Sequence, residues 1–150
     1  MSLSNEVLKA IQLIKAKEWV DLTHTFGPDS PHFSAFDPAQ FRTLFNHEDG
    51  FFAQRFDFPG QYGTHLDAPI HFVQNTRFLH ELGLKEFVLP LVVIDQSKEV
   101  EKDNDFTLEV DHILAFEAQH GPIEAGTFVA LRTDWSKRWP DQEAFDNKDA

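Results

Sequence analysis

The chain has 150 residues, 13 Lys and Arg against 25 Asp and Glu, and a formal net charge of −12. That length fits one domain, and a composition of 41% hydrophobic residues with 16 phenylalanines excludes a disordered chain. The negative charge, with no basic stripe, argues against nucleic acid and against anionic lipid surfaces as partners. Because the chain has no cysteine, a disulfide framework, a thiol nucleophile and a Cys-ligated zinc are excluded.

The first half of the chain predicts one helix and two strands. Apolar residues at helical spacing behind Ser4, which suits an N-cap, predict a helix over 5–17. Residues 19–25 are predicted as a strand that stops at a Gly-Pro pair. The segment 28–50 has no sustained period and is predicted as a loop, whereas 52–58 alternates phenylalanine with polar residues as a half-buried strand does.

The second half predicts two further strands with a helix between them. Residues 91–95 are predicted as a short apolar strand buried on both faces, followed by a charged, solvated loop over 98–105. Thr107 is predicted to cap a helix that runs to about His120, before a Gly-Pro stop. Residues 128–132 are predicted as another apolar strand. Strands and helices mix, so the predicted class is α/β or α+β.

Two expectations concern the extent and location of the protein. The tail after Trp139 is polar without a clear ending element, so residues 1–150 are expected to be the N-terminal part of a longer single domain. Polar residues interrupt the N-terminus, so no signal peptide is expected. The longest apolar run, 88–94, contains a proline and is too short to span a bilayer. We expect a soluble, cytoplasmic protein without membrane partners.

The segment Gln61–Phe72 concentrates residue types that carry chemistry. If it is extended, side chains two residues apart share a face, so Gln61, His65 and Asp67 point the same way. Gly63 lies on that face and leaves the backbone open. Imidazole and carboxylate two residues apart are suitable ligands for a divalent metal.

The residues that follow supply a group for proton transfer. Pro69 forces Ala68 to be extended and withholds an N–H, so the chain turns and His71 can return over the site. A divalent ion makes bound water acidic enough to ionise near neutral pH, and a histidine can pass a proton to a leaving amine. Those two functions suffice for amide or lactam hydrolysis. The alternative, polar surface residues in a loop, does not predict this clustering.

The run Gly63-Thr64-His65-x-Asp67-x-Pro69-x-His71 resembles the signature of the metal-dependent cyclase/amidohydrolase family, which includes bacterial kynurenine formamidase and isatin hydrolase. Residues 21–33 resemble that family's first strand and its aromatic after a proline, and 131–135 resemble its later strand with a Thr-x-Trp turn. The resemblance covers roughly 19–139. It implies a mixed α/β, swivelling β/β/α-type fold and a homodimer or a larger assembly such as a tetramer.

The resemblance also implies roles for individual residues. It makes His65 and Asp67 metal ligands, with Asp67 able to bridge a second ion, and His71 the catalytic acid/base. Phe33 matches a substrate-contacting aromatic. Gln61 stands where relatives have a histidine ligand, and is expected to be at most a weak third ligand. Relatives also take a His and a Glu ligand from a C-terminal portion that these 150 residues do not show. The implied cofactor is one or two divalent ions, zinc or manganese.

These residues predict a metal-dependent amidohydrolase that acts on an aryl-formamide or a cyclic amide and resembles kynurenine formamidase. Its partner would be a small-molecule substrate. The alternative is a non-catalytic member of the family, with a degraded site that binds a metal or a small molecule. Gln61 and the missing ligands favour that alternative, and the intact His71 disfavours it.

Other candidates stay open from the sequence alone. His24 is either a core histidine of the first strand or a ligand, and the core role is more common. Asp134 is equally suited to a late site residue and to a cap or turn. Four loop and strand phenylalanines either pack the core or line an apolar substrate pocket: Phe33, Phe36, Phe41 and Phe45.

Overall fold

The computed structural model describes residues 4–147 as a mixed helix-and-strand protein with two separate two-stranded sheets. The strands are β1 (Gln40–Phe45), β2 (Ala53–Asp57), β3 (Leu91–Asp95) and β4 (Phe128–Arg132). The helices are α1 (Asn5–Lys15), α2 (Ser97–Lys102), α3 (Val110–His120) and α4 (Gln142–Asp146). Among residues 4–147, no helix is long and apolar enough to cross a membrane.

The N-terminal segment is only partly as predicted. Helix α1 is confirmed, with Ser4 accepting a hydrogen bond from the Val7 N–H at 3.4 Å, and it ends at Lys15, two residues early. The strand predicted over 19–25 is wrong, because no strand within residues 4–147 pairs with that backbone. The link from this segment to the centre of the chain is the His24 N–H, which donates to Thr64 Oγ1 at 3.0 Å.

An aromatic hairpin forms the first sheet. β2 is confirmed, but β1 lies inside the stretch predicted as a loop, so that prediction is wrong over Gln40–Phe45. The two strands are antiparallel with Phe41 opposite Phe56, and these rings pack edge to face at 4.8 Å. Phe26 and Phe58 extend the cluster, with ring centroids 4.9 Å apart. This packing fixes the point from which the segment after β2 departs.

The second sheet is a parallel pair connected by helices. β3 and β4 are confirmed and run parallel in the register Leu91↔Phe128, with α2 and α3 in the connection. The loop predicted over 98–105 is wrong over 98–102, because Ser97–Lys102 forms α2 and buries Val100, and it is confirmed over 103–105. Asp95 supports the start of that helix by accepting hydrogen bonds from the backbone and hydroxyl of Ser97.

Helix α3 begins later than the sequence indicates. It starts at Val110 rather than directly after Thr107, and the cap is Glu109, whose N–H donates to His112 Nδ1 at 2.9 Å. Its end at His120 is confirmed. Gly121 follows with a φ of +93°, a conformation that glycine adopts without strain.

One face of the β3/β4 pair is uncovered within the described chain. Ile94 is buried at 2% exposure, yet Leu91 is 56% exposed, so the prediction that β3 is buried on both faces is wrong. Over residues 4–147, β3 has β4 as its one strand neighbour, and Leu91 and Val93, which share one face, stay 56% and 45% exposed because that face has no cover. The chain exposes 12712 Å² in all, whereas a compact monomer of this mass exposes about 7,800 Å².

Candidate active site

The candidate site follows a tight turn after the aromatic hairpin. Residues 60–64 are turn and bend, so the prediction that the chain is extended from Gln61 onward is wrong there. Gly63 has a φ of +67°, and a Cβ at this position would lie 2.9 Å from Cδ2 of Phe26. The turn therefore requires a glycine for both conformation and space. Gln61 lies within this turn and His65 follows it, so the two residues do not lie along one strand.

Asp67 lies between two histidines. Its Oδ1 is 3.5 Å from Nε2 of His65 and 3.9 Å from Nε2 of His71. Ala68 is extended and Pro69 begins a 3₁₀ turn that ends at His71, so the predicted chain reversal is confirmed. The two histidine side chains are each 31% exposed and that of Asp67 is 42% exposed. The structure thus brings three of the five predicted site residues together.

The donor atoms present fit a divalent cation. The Gly63 carbonyl lies 2.7 Å from His65 Nδ1, so in the neutral imidazole Nδ1 carries the hydrogen and Nε2 keeps its lone pair. That lone pair faces a carboxylate oxygen of Asp67, and two such acceptors repel each other unless a proton or a metal ion lies between them. These donors would supply part of the coordination sphere of such a cation. Within residues 4–147, no three His, Cys, Asp or Glu side chains are arranged to hold a metal by themselves.

The other two predicted site residues stand apart from this cluster. The half-buried Gln61 makes no hydrogen bond to any residue in the described part of the chain. Phe33 is 62% exposed, and its ring packs edge to face against Phe36 at 5.5 Å. No ring contact over 4–147 joins Phe33 to either site histidine. Their roles as ligand and substrate contact stay predictions.

An open apolar groove of about 1150 Å³ reaches from Asp67 and His24 to the uncovered face of the β3/β4 pair. At its far end, the Arg132 guanidinium donates to Asp134 at 2.8 Å and lowers the pKa of that carboxyl, with Lys137 adding a second bond. Asp134 has a φ of +59° and precedes the 3₁₀ turn Trp135–Arg138. This ion-paired turn position favours the structural role for Asp134.

Three residues around the site were not singled out for that role by the sequence: Thr64, Trp139 and Tyr62. Thr64 accepts the His24 N–H, and the His24 ring stacks on Trp139 with centroids 4.5 Å apart. His24 is therefore neither a core histidine of a strand nor in contact with the histidine cluster. Tyr62 is 3% exposed and bonds to His32. The one available signal was that Tyr62 is the sole tyrosine of the chain and lies inside the motif.

Comparisons with known proteins identify the family of the chain. The Cyclase family, described as "Putative cyclase", matches residues 20–149. An isatin hydrolase of Roseibium aggregatum is 39% identical, over 88% of this chain and 56% of that protein. A kynurenine formamidase of Bacillus thuringiensis subsp. konkukian is 28% identical, over 72% of this chain and 55% of that protein.

Solved structures show the same fold. The crystal structure of an isatin hydrolase bound to the product analogue thioisatinate superposes with a TM-score of 0.82 at 32% identity, covering 98% of this chain and 63% of that one. Isatin hydrolase A from Ralstonia solanacearum gives a TM-score of 0.81 at 31% identity, over 96% of this chain and 60% of that one.

Fold and site together define a mixed α/β protein with a His-Asp-His cluster beside an aromatic hairpin. The Cyclase family model matches residues 20–149, and the chain belongs to that family. It spans about half the length of the curated relatives it matches, 56% and 55%. The resemblance noted in the sequence and the predicted fold class are confirmed.

Proposed function

We propose that the protein is a metal-dependent hydrolase of an aryl-formamide or a cyclic amide. The observation that carries the proposal is Asp67 Oδ1, which lies 3.5 Å and 3.9 Å from the Nε2 atoms of His65 and His71. The family supports the same chemistry, because its members isatin hydrolase and kynurenine formamidase hydrolyse a cyclic amide and an aryl formamide. We infer the activity of the whole protein from these relatives.

Each site residue has a role in that reaction. His65 and Asp67 would hold the metal, with Gln61 as a third, weaker ligand. A bound divalent ion would supply Lewis acidity to the water and to the amide carbonyl. His71 takes a proton from the attacking water and returns it to the nitrogen as the carbon–nitrogen bond breaks. Phe33 would contact the aromatic ring of the substrate.

The identity of the metal is also proposed. Nitrogen and oxygen donors accept both zinc and manganese, and an amide oxygen from Gln61 is a harder donor than the imidazole it replaces. The donor set therefore shifts the preference from zinc toward manganese. Asp67 has its Oδ1 toward both histidines and would also be the residue to hold a second ion.

The assembly and the extent of the domain complete the proposal. We infer a homo-oligomer, a dimer or a tetramer, and a domain of which these residues are the N-terminal part. The uncovered face of β3 and β4, where Leu91 and Phe128 are 56% and 57% exposed, supports both inferences. A cytoplasmic location stays a prediction.

The alternative function is a non-catalytic family member that binds a metal or a small molecule. The observation that favours it is the small number of donors, since Gln61 replaces a histidine and no group of three ligands is arranged over residues 4–147. The position of His71 beside Asp67 at 3.9 Å disfavours it, because a degraded site has no need of a proton-transfer group there.

One assay separates these functions. The protein is stripped with EDTA, reloaded with manganese or zinc, and assayed with isatin and with N-formylkynurenine. We expect hydrolysis of at least one substrate, lost with EDTA and restored by metal. Metal binding without hydrolysis of either substrate would support the non-catalytic function. Absence of metal binding would contradict the hydrolase and leave the alternative as a protein that binds a small molecule.

A further inference from the structure

Tyr62 is the most enclosed aromatic residue near the site. It is 3% exposed, and its ring stacks on His32 with centroids 4.8 Å apart and planes inclined by 20°. Its hydroxyl reaches three partners: the Ala39 N–H donates to it at 3.3 Å, His32 Nδ1 lies at 2.9 Å, and the Pro28 carbonyl accepts at 3.4 Å. A buried hydroxyl with this many partners fixes the positions of the groups around it.

All three partners belong to one loop, residues 28–39, which we call the aromatic loop, and two of them lie at its ends. Pro28 begins the loop and the buried Ala39 ends it, so the Tyr62 hydroxyl holds both ends. The middle is held by Gln142, whose side-chain oxygen and nitrogen bond to the backbone of His32 at 2.9 Å each. The loop is thus anchored on both sides of its exposed portion.

Phe33 lies in the exposed portion of the aromatic loop, directly after His32. Its carbonyl accepts the Phe36 N–H at 2.9 Å, and the two rings pack edge to face, yet the Phe33 side chain is 62% exposed. When a flat aromatic ligand binds an exposed ring whose backbone is already anchored, little further conformational entropy is lost. The exposed Phe33 ring is therefore well suited to contact an aromatic ring.

Tyr62 connects this loop to the metal-site segment. It directly precedes Gly63, whose carbonyl bonds to His65 Nδ1 at 2.7 Å. We propose that Tyr62 is a positioning residue that fixes Phe33 relative to His65 and so makes the enzyme select substrates with an aromatic ring. This inference rests on the proposed function. Tyr62 does not touch substrate in this scheme and acts through the aromatic loop.

The Tyr62→Phe variant tests the inference, because it removes the hydroxyl and keeps the stacked ring. We expect KM for an aryl formamide to rise about five- to tenfold, the ratio that corresponds to one lost hydrogen bond. The kcat should change less than about twofold, and KM for an alkyl formamide should not change. Amide hydrogen exchange at Ala39 should become faster while metal content stays at the parent level.

A double-mutant cycle with Phe33→Ala shows whether Tyr62 acts through Phe33. In the Phe33→Ala background, Tyr62→Phe should raise KM for the aryl formamide no further. The control Thr107→Val removes an exposed hydroxyl that bonds to the Asp105 carbonyl, outside the aromatic loop, and should change neither KM.

The outcomes against the inference are distinct from failure of the proposed function. An active parent with an unchanged aryl KM in Tyr62→Phe overturns the positioning role alone. Equal losses on aryl and alkyl substrates, or the same KM rise in both Phe33 backgrounds, would show a general structural role and overturn it too. A parent that hydrolyses neither isatin nor a formamide overturns the proposed function and, with it, this inference.

Discussion

At the scale of single residues, His65 is held by its neighbour two positions earlier rather than by a distant side chain. The Gly63 carbonyl lies 2.7 Å from its Nδ1, and Asp67 lies 3.5 Å from its Nε2. Because these contacts are local, removing the imidazole takes away a metal donor without removing a long-range contact. The first two predictions separate metal binding from proton transfer on this basis.

The His65→Ala variant is expected to lose most of its bound metal and keep the parent melting temperature. The loss follows from the small number of donors at the site, each of which is needed. Metal content by mass spectrometry and thermal melting by circular dichroism measure the two effects. His80→Ala is the control, since His80 stacks on Phe78 away from this cluster. Parent-level metal in His65→Ala would rule out the proposed site.

The His71→Asn variant is expected to retain metal and to lower kcat by roughly 100-fold or more, the usual contribution of a general acid/base. Asparagine keeps polarity at this position but cannot exchange a proton with the substrate. Steady-state kinetics and metal content are measured on the same preparation. Near-normal turnover would contradict the acid/base role, whereas loss of metal would show that His71 is a ligand.

The Gln61→His variant is expected to bind zinc more tightly, by about one to two kcal/mol, because nitrogen replaces a weaker oxygen donor. Position 61 lies in the 60–64 turn rather than on a strand face with His65, so the gain depends on the turn presenting its side chain to the metal. Competitive zinc titration of parent and variant measures it. Equal affinities would show that position 61 does not face the metal.

At the scale of elements, the turn over 60–64 couples the aromatic hairpin to the site. We expect Gly63→Ala to lower the free energy of unfolding by about 2 kcal/mol, which corresponds to a decrease of about 4–8 °C in the melting temperature. The reasons are the φ of +67° and the 2.9 Å approach of a Cβ to Phe26.

Gly27→Ala is a matched control for that substitution. A Cβ at Gly27 meets nothing within 4 Å, and its φ lies outside the left-handed region. Thermal melting of both variants checks the comparison, and metal affinity should fall in Gly63→Ala because its carbonyl orients His65. Equal melting temperatures would show that the turn tolerates a side chain.

At the scale of the whole molecule, the total exposed surface of 12712 Å² exceeds what a compact monomer shows. The excess over a compact chain of this mass is about 4,900 Å², an area comparable to an obligate interface. Part of this surface is apolar, since Leu91 is 56% and Phe128 57% exposed, and exposed apolar side chains are unfavourable in water. We expect further protein, a second copy or more of the same domain, to cover it.

We expect the isolated 150-residue chain to bind a hydrophobic dye, to self-associate and to hold metal weakly. Dye fluorescence, sedimentation velocity and metal titration measure these properties. A monodisperse monomer that binds no dye and hydrolyses the proposed substrates at full rate would contradict the expectation.

The sequence by itself determined the elements and motif that depend on neighbouring residues. Helix α1, strands β2, β3 and β4 and the reversal at Pro69 follow from local period, capping and proline chemistry. The Cyclase family signature was readable for the same reason, since its residues lie within Gly63–His71. Short-range stereochemistry is encoded in adjacent positions.

Only the tertiary structure decided the features that depend on distant partners. β1 is a strand because it pairs with β2, with Phe41 opposite Phe56. Residues 19–25 form no strand because no strand in the described part of the chain pairs with them. The hydroxyl of Tyr62 finds partners 23, 30 and 34 residues away. Strand pairing and buried hydrogen bonds join groups whose proximity arises when the chain folds, so no local pattern records them.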